Sequence, residues 1–125
     1  MVQTDLAQLT SETAEWRQIL RNYRDEFQEC KKLLQDSAKD TVREQLMELE
    51  HFDNQFHIQL INIHDLKQEI KQHERRINFE RTNGDQLSND TFSQHERLLD
   101  AFLTLENGLQ QLRFDFRDFV NATNC

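Results

Sequence analysis

His73, His95 and Glu69 have the residue types and spacing that come nearest to a metal site in this sequence. Glu69 precedes His73 by four residues, so on a helix the two stack on one side. Two imidazoles and a carboxylate brought together would suit a first-row divalent ion and leave coordination positions open. Whether they meet depends on what places His95, 22 residues further on, beside His73.

The remaining histidines offer less. Glu48 and His51 make a single Glu-x-x-His, whereas di-metal bundles of the ferritin type need two such pairs and two more glutamates, all facing inward. None of the five histidines is followed four residues later by histidine or glutamate, and His57 and His64 lie seven residues apart, about 10 Å on a helix. There is no glycine-rich phosphate loop and no glycine-flanked serine to act as a nucleophile. Cys30 falls among apolar residues, which raises a thiol's pKa and leaves it inert. The expectation is a chain that is no enzyme and carries no cofactor, with the His73/His95 layer structural rather than metal-binding.

The elements that position these residues follow from composition and periodicity. The sequence has 125 residues, no proline, two glycines and 36% hydrophobic residues, enough for one all-α domain over 1–125. Leu6, Leu9, Thr13, Trp16, Leu20, Tyr23, Phe27, Cys30 and Leu34 alternate spacings of three and four, a heptad seam that predicts a helix over about 4–35. Val42, Leu49, Phe56, Ile63, Ile70 and Ile77 recur every seven residues, with Phe52 and Leu66 between them, and predict a second helix over about 39–81. A third, over about 89–122, is drawn by Leu98, Phe102, Leu105, Leu109, Leu112, Phe116 and Phe119.

The breaks have local causes. Ser37 with Asp40, or Thr41 with Glu44, is spaced as a capping box to start the second helix. Gly84 can end it in the left-handed conformation, after which Ser88 can cap the third with Leu87 and Phe92 as a hydrophobic staple. Short connections make neighbours antiparallel, so level residues on two helices have numbers with a constant total. Totals of 76 and 168 bring the seams into layers Leu6/Ile70/Leu98, Thr13/Ile63/Leu105, Leu20/Phe56/Leu112 and Phe27/Leu49/Phe119, and set Trp16 beside Gly108. The prediction is an antiparallel up-down-up three-helix bundle, left-handed and coiled-coil-like. In it His73 and His95 face each other in a layer beyond the start of the first helix.

Charge and hydropathy narrow the partners. At a net −8 the chain repels nucleic acid unless basic residues segregate, and the stretch Lys67–Arg81 has an excess of only two, which reads as a solvated face. The apolar runs are too short to span a membrane, and with no leader pattern and only two cysteines the expected location is cytoplasmic. Met47, Ile58 and Ile61 point away from the second seam, and Leu103 and Phe114 away from the third. Unused apolar surface of this kind suits docking to a partner helix or a second copy. The chain is therefore read as a non-enzymatic interaction module binding a protein partner or itself as a homodimer, with a metal- or small-ligand-binding bundle as the alternative.

Overall fold

The computed structural model describes residues 6–37 and 43–123, and the fold is an antiparallel up-down-up bundle of three helices. Helix α1 runs Leu6–Ser37, α2 Arg43–Thr82 and α3 Asn89–Thr123. These bounds match the predicted ones where the two can be compared. The candidate capping boxes draw on Asp40 and Thr41, which with Cys125 lie outside the described residues. Helix α2 packs against both others, while α1 and α3 approach each other least.

The α2–α3 connection is built as its residues dictate. Gly84 has φ +102° and Asp85 +52°, and the Asp85 N–H donates to the Glu80 carbonyl at 2.9 Å, closing a Schellman-type end. Ser88 then caps α3, its hydroxyl oxygen accepting from the Thr91 N–H at 3.2 Å. The Glu80 carboxylate reaches back to accept from the Ser88 N–H at 2.8 Å, the Ser88 hydroxyl at 3.1 Å and the Thr91 hydroxyl. Burial alone would raise the Glu80 pKa, but these hydrogen bonds outweigh it and hold the group below its ordinary value. Leu87 packs on Leu6, Leu9 and Ile77, while Phe92, the other half of the expected staple, is exposed.

That turn pins the α2–α3 register as predicted. His73 meets His95, Phe52 meets Phe116 and Glu80 meets Ser88, each pair totalling 168. Helix α1 departs from its predicted register by about one heptad. Phe27, rather than Leu20, lies against Phe56, with ring centroids 4.8 Å apart, and Lys31 pairs with Asp53 at 3.3 Å, so the totals are 83 and 84 instead of 76. At this register the levels become Leu6/Ile77/Thr91, Thr13/Ile70/Leu98, Leu20/Ile63/Leu105, Phe27/Phe56/Leu112 and Leu34/Leu49/Phe119, all buried or half-buried. A slide of seven residues, about 10 Å, returns every seam residue to an equivalent position, so the seams alone do not distinguish the two registers. The observed one lets Leu6 and Leu9 cover Ile77 and Leu87. It also moves Trp16 away from Gly108, whose nearest neighbour for an added Cβ is the Gln59 Nε2 at 3.3 Å.

Phe56 is fully buried, in edge contact with Phe27 and with Phe116 at 5.1 Å. Its replacement by alanine in this packed layer is expected to destabilise the fold by about 3–5 kcal/mol, read from urea titration. A loss under about 1 kcal/mol would mean the layer is not closed.

Candidate functional site

The histidine layer is the most strongly built polar feature of the bundle. His73 Nε2 and His95 Nδ1 are 3.0 Å apart, and His95 Nε2 is 2.5 Å from Glu12 Oε2, so one chain of hydrogen bonds joins all three helices. Trp16 of α1 stacks on His95 with centroids 4.7 Å apart and reaches Phe102 at 5.9 Å. The layer is thus roofed by α1, contrary to its expected place beyond the start of that helix. The heptad shift accounts for this. His73 meets His95 as the spacing predicts, but the carboxylate differs from the expected one: Glu69 is exposed, and Glu12 occupies the position.

Proton placement follows from the donors available. The Glu12 carboxylate accepts, so His95 Nε2 carries hydrogen, and a single hydrogen can lie between His95 Nδ1 and His73 Nε2. With both rings neutral, His73 donates it and its Nδ1 is left a bare acceptor. That atom is buried and has no partner among the described residues. Two imidazolium rings would aim N–H groups at each other, so the closed layer holds at most one positive charge.

These contacts leave little room for an ion. Both nitrogens of His95 and the inner nitrogen of His73 are committed to hydrogen bonds, and no three His, Cys, Asp or Glu side chains among the described residues form a group that could hold a metal. Glu48, His51, His57 and His64 are exposed.

At the opposite end a groove of about 680 Å³ opens, floored by Phe27, Phe56 and Phe119. Arg113 on its wall is held by Glu26 at 2.7 Å and lies over the Tyr23 ring at 4.6 Å. Burial, with help from the Glu26 charge, pushes the Cys30 thiol there above its ordinary pKa, which disfavours the reactive thiolate.

The five outward apolar residues are all exposed, from 41% for Ile58 to 75% for Met47. The structure adds Phe92 and Leu99 to Leu103 and Phe114 on α3, and Phe79 to the row on α2. Phe92, Leu103 and Phe114 are spaced by eleven, three full turns, which draws a nearly straight strip along a helix. That spacing is legible in the sequence, where Phe92 fits the staple position equally well.

No family model, curated protein or solved structure matches this chain. No helix among the described residues is long and apolar enough to cross a membrane.

The layer makes stability depend on pH. Burial lowers the His73 pKa from 6.5 to about 4, with His95 and then Arg76 acting the same way and Glu80 opposing. Between those values the unfolded chain takes up a proton that the folded chain refuses. The His73 contribution is therefore present above pH 6.5 and lost as pH falls towards 4. From pH 7.5 to 5 the loss should be on the order of 2 kcal/mol by urea titration. His73→Gln should flatten the slope, whereas an unchanged slope would place the titration elsewhere.

Proposed function

We propose that this chain is a non-enzymatic interaction module that pairs with a second copy of itself through the outer face of α2. The observation that carries this is the exposure of Met47, Ile58 and Ile61 on the side of α2 turned away from the bundle, while the inner seam is already filled by both neighbours. A two-fold axis would set this strip against itself and form an isologous four-helix contact. Leu103 and Phe114 supply a second apolar strip for a further partner helix. A half-buried free thiol at Cys30 fits a reducing, cytoplasmic setting.

Charge opposes the pairing, since residues 36–66 hold seven acidic and two basic side chains that would meet their own kind across the axis. Salt should therefore strengthen the dimer, and the interface needs roughly 1,000 Å² to be stable. Sedimentation at micromolar concentration is expected to show a dimer favoured by salt and dispersed by Ile58→Glu with Ile61→Glu. A monomer at low and high salt, or a dimer indifferent to the double change, refutes the reading.

The alternative, a metal- or small-ligand-binding bundle, draws on the unpartnered Nδ1 of His73. Against it stand the committed nitrogens of His95 and the exposure of Glu69. Elemental analysis of protein purified without chelator is expected to find well under one equivalent of metal. A full equivalent, abolished by His95→Ala, would reverse the order of the two readings.

A further inference from the structure

Folding regroups the basic residues. Arg17, Arg21 and Arg24 follow one another by four and three residues on α1, so they share a side of that helix, and Lys67 and Lys71 share a side of α2. Nearby contacts fix how these rows meet. Arg17 Nε lies 2.6 Å from Glu74, the Thr13 hydroxyl 3.4 Å from the same carboxylate, and Arg81 3.4 Å from the Thr10 hydroxyl, with totals between 87 and 91. On that line Arg21 stands level with Lys67 and Arg17 with Lys71.

Lys67 is the least expected member of the group. It is 9% exposed, the one buried lysine among the described residues. Neither it nor Arg21 nor Lys71 makes a hydrogen bond or ion pair among the described residues. Arg17 is answered by Glu74 and Arg24 by its neighbour Asp25 at 2.9 Å, which leaves three of five cations unanswered. Burial pushes the Lys67 ammonium below its ordinary pKa, and the charges of Arg24, Arg21, Lys71 and Arg17 push the same way. The sequence has 23 acidic side chains, yet among the described residues only Glu74 and Asp25 form ion pairs with the group.

We propose that the face formed by Arg17, Arg21 and Arg24 of α1 with Lys67 and Lys71 of α2 binds a compact anion carrying two or three phosphoryl groups. Arginine forks and lysine ammonium groups are the usual donors to phosphate oxygens, and the row from Arg17 to Arg24 spans about 10 Å. That length suits a short polyphosphate. A nucleic-acid duplex would extend past the patch onto surface that makes the chain net −8, where it is repelled.

Inorganic tripolyphosphate is the probe, titrated into the full chain by calorimetry and amide NMR at about 20 mM salt, where exposed charges are least screened. One anion per chain is expected, with shifts confined to residues 17–24 and 64–75. Arg21→Gln, an exposed position that does not endanger folding, should weaken binding several-fold. Adding Lys67→Gln should bring the loss to at least about tenfold, the scale of a lost charge-assisted hydrogen bond. Without the anion the double variant should be at least as stable as the parent, because a buried repulsion has been removed. No saturable binding, uptake that is non-stoichiometric and equal in the variants (an adventitious ion only), or tighter binding of duplex DNA than of tripolyphosphate would each overturn the proposal.

Discussion

The contact among Glu12, His95 and His73 is the constraint on which the rest of the structure depends, because among the described residues it is the one polar link that fixes all three helices at a single level. Heptad seams are degenerate: α1 can slide by seven residues and still present apolar side chains to the same grooves. A buried imidazole pair has no such freedom, since burying it without a carboxylate or a covering ring leaves polar atoms unpaired. When Glu12 meets His95 and Trp16 lies over it, α1 is locked, and Phe27 is carried to Phe56.

The layer also divides the interior. A large apolar cluster runs from Trp16 to the groove near Phe119, and a small one of Leu6, Leu9, Ile77 and Leu87 closes the other end. The small cluster is held chiefly by the α2–α3 turn, where Glu80, Ser88 and Thr91 satisfy the helix ends through one carboxylate. The His73/His95 layer lies between the two clusters, so its burial, which keeps His73 neutral, depends on both being closed.

Outside the core the helices differ in character. Helices α2 and α3 each carry an apolar outer row, which suits association with other helices, while α1 exposes Leu33 alone among its large apolar residues. The contribution of α1 to the surface is charge: the charges of its three arginines, with that of Lys71, act on Lys67 of α2 and make a basic region on an acidic protein. The apolar rows and the basic face lie on different sides of the bundle elements, so a protein contact and an anion contact need not compete.

The sequence by itself determined what depends on neighbours along the chain. The extents of the three helices follow from periodicity and the absence of proline, and the Gly84–Ser88 turn is short enough to set the α2–α3 register, hence the pairing of His73 with His95. The exposed rows at Met47, Ile58 and Ile61 and at Leu103 and Phe114 follow from the same periodicity read outward. The tertiary structure alone decided the level of α1, and with it the choice of Glu12 over Glu69, the stacking of Trp16 on His95, and the approach of the Arg21 charge to Lys67. The physical reason is that a seven-residue repeat leaves an energy nearly unchanged by a seven-residue slide, and only side chains that are not apolar, compared across all three helices at once, break the tie.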